Sequence, residues 1–568
     1  MNIREAVIDF MRKKSYKPMD IDGLSKVFQV KKFERKEFKK TLKDMERDGQ
    51  IIETNSGHFG IADEMGIVMG KLEGHSKGYG FVITDDMSGD VFIPSSGMNG
   101  AMNGDKVACR ITKEKADEKK CEGEIVKVIE RANEKVIGRF ERSRDFAFVV
   151  PEDKRIYDDI FIPKDWFNGA NNGDVVMAKI TKWPRGRRNP EGKVKEIVGR
   201  FGDSSIDALT VMKEHNLPEA FPEKVVRYVE NIESSISEDE IKRRKDLRDL
   251  KIVTIDGDDA KDLDDAVSIE KLSNGNYKLG VHIADVSNYV KERSPLDKEA
   301  LKRGNSVYLI DRVIPMLPKE LSNGICSLNP KEDRLTLTCM MEIDNTGKVV
   351  DHNIFESVIR TSERMTYNDV TKILEGSDPA LLKRYDYLLD DFKLMEELCH
   401  ILHKKRIERG AIDFDFAESK ITLDENGKPI SVEPYERGTA NRIIEEFMLV
   451  CNETIAEHMF WANVPFVYRI HENPDEEKLM RFNEFAHNLG YALKASKEVH
   501  PKALQEVIEK VKGTTEETVV STLLLRSLKL ARYSPECTGH FGLAAKYYCH
   551  FTSPIRRYPD LIIHRIIT

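Results

Sequence analysis

No stretch of the 568 residues approaches the run of about 18 apolar side chains needed to span a bilayer. The amino terminus, MNIREAVIDFMRKKSYK, has no apolar h-region followed by a cleavage site. Neither membrane insertion nor secretion is therefore expected. The eight cysteines are scattered, with no C-x-x-C pair and no histidine spacing of the zinc-binding kind. They read as the reduced thiols of a cytoplasmic chain with no disulfide-linked partner. A basic excess is missing too. The formal charge of −8 argues by itself against a nucleic-acid partner, but a chain-wide sum hides local surfaces. Residues 1–60 carry 14 Lys plus Arg against 10 Asp plus Glu, so the acidic excess lies further along.

What is present is a globular balance of 40% hydrophobic and 33% charged residues, over a length suited to roughly three to five domains. Apolar positions at helical spacing predict helices over 3–13, 19–29 and 33–49, the last built on Phe33, Phe38, Leu42 and Met45. The alternating run GQIIETNSGHFGI then reads as a two-stranded wing, so residues 1–62 look like a winged helix-turn-helix. Lys31, Lys32, Arg35, Lys36, Lys39 and Lys40 gather at its third helix, where such folds meet phosphates; a solvated face of a protein-docking module fits equally well.

An internal repeat follows, in which Gly70 matches Gly138, Ile93-Pro94 matches Ile162-Pro163 and Gly104-Asp105 matches Gly173-Asp174, at a spacing of 68 or 69 residues. Short alternating strands between Gly, Asn and Asp turns predict two tandem five-stranded barrels, over 66–133 and 134–200. In the first, Tyr79, Phe81 and Phe92 lie among glycines that let a base approach the backbone. This resembles the cold-shock type of OB-fold, whose exposed rings stack on single-stranded RNA. Rings turned into the barrel core are the competing reading. The second copy, Asp145-Phe146-Ala147-Phe148, lacks the glycines, which makes a stacking role less expected there. The turn-rich stretch from Trp183 to Pro190, with Arg185, Arg187 and Arg188, suits backbone phosphates. Residues 201–250 read as a helical surface connector, and a large α/β unit is expected from Lys251 onward.

The sharpest local feature is Thr254–Val267, TIDGDDAKDLDDAV, with six aspartates in ten positions between two apolar strands. Six carboxylates on one short loop repel each other unless a cation neutralises them, and hard divalent ions prefer oxygen ligands. An EF-hand fails, because alternation from Asp256, Asp258 or Asp262 runs into Ala260 or Ala266. The loop suggests metal-assisted phosphoryl chemistry. With single-strand-binding barrels upstream, that chemistry points to a nuclease.

From Lys251 onward the chain resembles the catalytic domain of the ribonuclease II and ribonuclease R family. The matching segments include TIDGDDAKDLDDAV, VHIADVSNYV, SVYLIDRVIPMLPKELSNGICSLNP, RLTLTCMMEI, ANRIIEEFMLVCNE, YRIHENPDEEKL and HFTSPIRRYPDLIIHR, spread in one order over about 300 residues. The winged helix places it nearer the ribonuclease R branch. The resemblance implies a multidomain α+β chain: winged helix, two cold-shock-type OB barrels, and an α/β ribonuclease II-type domain over 251–568. It implies 3′→5′ exoribonuclease activity on single-stranded RNA 3′ ends, processive, releasing nucleoside 5′-monophosphates. It also implies Mg²⁺ as cofactor, as two ions with Mn²⁺ able to substitute, held by Asp256, Asp262, Asp264 and Asp265, with Asp264 catalytic and Asp258 and Asp259 as spectators. Arg556 takes the phosphate-clamping position, Tyr308 and Phe414 those of base-stacking aromatics, and Glu445 one that accepts a ribose 2′-hydroxyl. Chemistry alone leaves Arg557 and Glu446 open as competitors. His282, His471, His540, His550 and His564 read as structural. Taken as extended, the segment puts Asp262 and Asp264 on one face and Asp265 on the other, so the backbone must curve to bring Asp265 round.

The sequence stops at Thr568 within an apolar helical run, which reads as a truncation; family members continue with a later active-site glutamate and a further OB-type domain. Leu561, Ile562, Ile563, Ile566 and Ile567 are therefore expected to be partly exposed. The rival reading, from another class, is a non-catalytic RNA-binding or RNA-remodelling chain, and a DNA exonuclease is a third.

Overall fold

The computed structural model describes all residues except 1–2, 14, 55–56, 85–89, 115–120, 185, 187, 201–203, 234, 414–417, 426, 436 and 492–498. Phe414, Arg185 and Arg187 thus lie outside the described residues. The chain divides into two compact units, residues 1–217 with 425–428, and the remainder from Pro218.

In the first unit, helices Ile3–Met11, Ile21–Val27 and Arg35–Arg47 precede a wing, Ile51–Glu53 paired with Phe59–Ile61. Val7, Met11, Leu24, Phe38, Leu42 and Met45 form its core. Phe33, expected among the apolar positions of the third helix, precedes that helix and is 77% exposed. Lys31 and Lys32 also lie in the turn before it.

Two closed five-stranded barrels follow. In the first, strands Ile67–Gly74, Gly80–Ile83, Val91–Ile93, Lys106–Glu114 and Cys121–Glu130 close in the order 1-2-3-5-4. Lys135–Arg142, Phe146–Pro151, Ile160–Pro163, Asp174–Lys182 and Glu191–Arg200 repeat that order. The repeated glycines have a steric cause. A Cβ on Gly70 would stand 2.3 Å from the Ile83 carbonyl oxygen, and one on Gly138 would stand 2.2 Å from that of Val150, so the first strand can curl over the second only without a side chain there. Asp105 and Asp174 cap equivalent turns by accepting from Met102 N and Asn171 N.

The expected single connector over 201–250 divides instead. Ile206 of helix Ser204–Glu214 packs on Ile137, Val175 and Met177 of the second barrel, whereas Val225 and Val229 of helix Glu223–Val229 join the core of the other unit. That unit is built on a seven-stranded sheet in the order Lys245–Asp246, Val349–Arg360, Asp333–Ile343, Tyr277–Ala284, Asp265–Lys271, Val253–Asp256, Glu363–Thr366. The sheet therefore begins at Lys245, ahead of the expected start at Lys251. Period-two alternation buries both faces: Val267, Val281 and Ile283 meet helices Leu389–Arg409 and Thr439–Trp461, while Ala266 and Ala284 face Leu296, Leu321 and Leu561. The expected exposure of the terminal helix Tyr558–Ile567 holds only in part. Leu561 and Ile563 are fully buried because the two cores receive them, and Ile562, Ile566 and Ile567 are half-buried.

Candidate active site

The four candidate carboxylates, Asp256, Asp262, Asp264 and Asp265, sit where the antiparallel strands Val253–Asp256 and Asp265–Lys271 meet through the loop 257–264. Asp256 ends the first strand and Asp265 begins the second. The loop does not run as a simple extended segment. Leu263 turns into the core, its N–H donates to Ser327 Oγ at 3.1 Å, and Leu328 N donates to the Leu263 carbonyl. This anchor presses the loop against residues 326–329 and brings Asp265 into one electrostatic group with its neighbours.

Asp264 is the deepest, only 3% exposed. Its Oδ1 accepts from Ile555 N at 2.8 Å. Its buried Oδ2 has no hydrogen bond; Arg556 Nε stands 3.4 Å away, close enough for ion pairing but not aligned as a donor. Burial lifts the Asp264 carboxyl well above its ordinary range, against the pull of Arg556 and with a push from Asp265 and Asp262. Asp265 is pushed up to about 7, by burial first and then by Asp256. Asp256 is also raised by burial, opposed by the Gly257 N–H and Arg556. A cluster of carboxylates this short of positive charge has the donor chemistry of a hard cation site, and the orphaned Oδ2 is a buried acceptor without a partner. Among the described residues no group of three or more His, Cys, Asp or Glu side chains is arranged to hold a metal ion as it stands. Asp258 is tied up elsewhere, its Oδ2 accepting from Asn368 Nδ2 at 2.9 Å.

Arg556 and Arg557 have different surroundings. Arg557 makes three hydrogen bonds of 2.7–3.0 Å to Asp560, whose side chain is fully buried. The Arg556 side chain is 46% exposed and faces the carboxylates. Burial opposes its charge, but Asp264, Tyr308, Asp265 and Asp256 outweigh that and raise its pKa. Tyr308, 53% exposed, donates its hydroxyl to Asp262 Oδ2 at 3.0 Å. Burial of the phenol and the charge of Asp262 both raise its pKa.

On helix Thr439–Trp461, Glu446 is buried and engaged by Arg406 and His403, at 2.9 Å each. Glu445 is exposed, and among the described residues no hydrogen bond or ion pair of that kind engages it. Asn441, Glu445 and Asn452, which fall at i, i+4 and i+11 of this helix, have different surroundings, since Asn452 is buried and accepts from Phe551 N. His282, buried between Ser268 and Thr338 with its pKa pushed down to about 3, and His564, bonded to the Phe551 carbonyl, are held as neutral core groups. Tyr367 escaped the sequence reading. Its phenol lies near Asp256 and Asp265, and burial followed by those two charges raises its pKa. Its position directly after the strand Glu363–Thr366, which pairs with Val253–Asp256, was the available signal.

On the first barrel, Tyr79, Phe81 and Phe92 form a cluster on the outer surface, with centroids 5.5–6.0 Å apart, while Leu72, Val82, Val91 and Ile93 fill the interior. The second barrel carries the same trio, Phe146, Phe148 and Phe161, at 5.7–5.8 Å. Glycine counting missed it. Phe161 lies 69 residues after Phe92, at the spacing of the repeat, whereas Phe146 and Phe148 lie 67 after Tyr79 and Phe81, so the match of the trio needs a one-residue gap in the alignment.

Three family models match the chain: the RNB domain over residues 244–568, the ribonuclease B OB domain over 70–128 and the cold shock domain over 148–222. Ribonuclease R of Thermotoga maritima is 45% identical over 98% of this chain and 78% of its own length. Ribonuclease R of Aquifex aeolicus is 41% identical over 100% and 79%. Among solved structures, Mycoplasma genitalium RNase R in complex with ribose methylated single-stranded RNA superposes with a TM-score of 0.81 at 28% identity, covering 88% of this chain and 79% of that one. An RNB domain carried behind OB-type barrels defines the class. Within it, the chain belongs to the ribonuclease R family of exoribonucleases. Among the described residues no helix is long and apolar enough to cross a membrane.

Proposed function

We propose that this chain is a cytoplasmic, Mg²⁺-dependent 3′→5′ exoribonuclease that shortens single-stranded RNA processively to nucleoside 5′-monophosphates. The observation that carries the reading is the buried, unpartnered Oδ2 of Asp264 beside the guanidinium of Arg556. Asp256, Asp262, Asp264 and Asp265 would hold two Mg²⁺ ions, or Mn²⁺ in their place. Bound there, the ions supply activation of water and neutralisation of charge on the leaving 3′ oxygen. The remaining work falls to the chain. Arg556 presents a planar fork to two oxygens of the scissile phosphate. Tyr308 offers its exposed ring to a terminal base while its hydroxyl stays on Asp262. Glu445, unlike Glu446, is available to accept from a 2′-hydroxyl. The aromatic trios on the two barrels provide sequence-tolerant stacking for the strand upstream. With 5′-labelled RNA, shortening is expected in Mg²⁺, none in EDTA, and resistance of the matching DNA. RNA that stays bound and intact in Mg²⁺ would establish the non-catalytic reading instead.

Tyr308→Ala is expected to weaken the hold on the terminal bases by about 1–3 kcal/mol per stacked base, so that longer residual oligonucleotides accumulate. Unchanged product lengths and rates on a sequencing gel would remove Tyr308 from the site.

The raised carboxyls give a pH signature. Asp265 ionises near pH 7 when folded, against 3.8 ordinarily. Below about pH 4 it is protonated in both states and costs nothing. As pH rises toward 7 the unfolded chain ionises first, so the ion-free fold loses stability progressively. Mg²⁺ favours the charged form and reverses this loss. The rise in melting temperature on adding Mg²⁺ is therefore expected to be larger at pH 8 than at pH 5.5, and Asp265→Asn is expected to shrink the difference. A rise independent of pH would count against Asp265 as a ligand.

A further inference from the structure

A cleft of about 580 Å³ opens from Tyr308 and Arg556 and ends on Arg469, Tyr533 and His550. Its far wall is built in layers. The Arg469 guanidinium lies over the Tyr533 ring at 4.8 Å from the centroid. The Tyr533 hydroxyl is bonded to His550 Nδ1 at 2.8 Å. Burial, followed by Arg557, Arg469, His540 and Arg556, pushes the His550 pKa down to about 2, so the imidazole stays neutral and serves as a fixed rest for the phenol. Arg469 itself sits on strand Tyr468–Ile470, which pairs with Arg532–Ser534, so the arginine and the ring beneath it are opposite residues of one ladder. Three guanidiniums thus line one cleft, with different commitments. Arg557 is saturated by Asp560, and Arg556 faces the carboxylates. Arg469 makes no salt bridge among the described pairs and is held by a ring face that leaves its N–H fork available.

We infer that Arg469 is a positioning residue that binds the RNA phosphate one linkage upstream of the scissile one. This rests on the exoribonuclease reading above. A terminal nucleotide with a free 3′-hydroxyl brings only one phosphate into the site, the scissile one, and Arg556 takes it. A second uncommitted guanidinium in the same cleft can then meet only a phosphate of the retained strand. After each cleavage the strand advances by one nucleotide, and the phosphate held by Arg469 becomes the one presented to Arg556. The stacked wall gives the strand a registered stop between cycles. Arg469 touches no reacting atom.

The test uses the full chain carrying Arg469→Gln, which keeps much of the side-chain stem and removes the charge, and Arg469→Lys, which restores charge without the fork. Binding is measured in the Asp264→Asn background with RNA bearing one neutral methylphosphonate, either at the linkage upstream of the scissile one or at the scissile linkage. With Arg469 present, the upstream replacement is expected to weaken binding about 10-fold, as loss of one charge-assisted contact does. With Arg469→Gln, all-phosphate RNA should already bind about 10-fold more weakly, and the upstream replacement should add nothing. The slope of log affinity against log salt should fall by about 0.7. Arg469→Lys should recover part of both losses. In the otherwise native enzyme, Arg469→Gln should convert direct passage to end product into a ladder of intermediates. Equal sensitivity to the upstream replacement in both backgrounds would overturn the assignment, as would coupling to the scissile linkage alone. Where Arg469→Gln does not fold, Arg469→Met, also neutral and of similar length, takes its place, and a salt slope and an upstream methylphosphonate sensitivity equal to those of the parent would overturn the assignment. Failure of the nuclease reading shows separately, as native chain that leaves RNA intact in Mg²⁺.

Discussion

Asp264→Asn is expected to lower RNA hydrolysis by roughly 10³-fold or more while leaving RNA binding within a few-fold of native. The substitution keeps the shape of the side chain, and its amide oxygen still accepts from Ile555 N, the contact that fixes the residue against the segment 552–557. What it removes is charge at a carboxylate oxygen that, alone among those of the described residues, is buried and unbonded. Native Asp264 pays heavily for that charge, since burial holds its pKa well above the ordinary range. A carboxylate kept buried and charge-prone with one oxygen left unbonded is an unfavourable choice for a structural residue. The variant is accordingly expected to melt no lower than the native chain when Mg²⁺ is absent, because it relieves repulsion from Asp262 and Asp265. With Mg²⁺ present the order should reverse. The decisive combination is initial rate on labelled RNA together with ion-dependent melting. Native turnover by the variant would remove Asp264 from the reaction. A simultaneous loss of binding and of melting temperature would place its role in folding.

How far the sequence alone carries this site depends on the kind of information each residue encodes. The four aspartates are legible because composition is local: six carboxylates in ten positions between apolar strands have few explanations. The barrels are legible because the repeat supplies two readings of one pattern, and the strand order is the same in both. Which way a side chain faces is harder to read. Asp265 joins the cluster through an anchor at Leu263 that depends on Ser327, about 60 residues away in sequence. Arg556 and Arg557 are adjacent and chemically alike, and only the position of Asp560 on the following helix separates their surroundings. Glu445 and Glu446 divide for the same reason, because Arg406 on a neighbouring helix claims one of them. The outward trio of the second barrel was hidden by an argument about glycine. At the position of Gly80 the second copy has Ala147, which is fully buried, so the inward site tolerates a methyl there without moving the rings on either side. Neighbours distant in sequence set these outcomes, and spacing does not encode them.

The arginine pair supplies the second large effect, as two variants with opposite signatures. Arg556→Lys is expected to cut the hydrolysis rate by about 10²–10³-fold with little change in melting temperature. Lysine keeps the positive charge near Asp264 but cannot offer two parallel N–H groups to a phosphate, and the side chain it replaces is nearly half exposed, so little packing is lost. The backbone contact that holds this position, Ser306 N to the Arg556 carbonyl at 2.9 Å, does not depend on the side chain. Arg557→Ala should do the reverse. It strips Asp560, which is fully buried, of its cationic partner and leaves the carboxylate one acceptor contact from Ser553 N. Breaking a buried pair from one side costs about 3–5 kcal/mol, so Arg557→Ala is expected to lose stability first and activity only in consequence. Removing both partners, Arg557→Ala with Asp560→Ala, should recover part of that stability without touching the catalytic rate constant of the folded fraction. Rate and melting temperature measured together on the three variants separate the roles. If Arg556→Lys unfolds the chain, or Arg557→Ala leaves it stable and slow, then the two arginines have been assigned the wrong way round and the phosphate is held by the second of the pair.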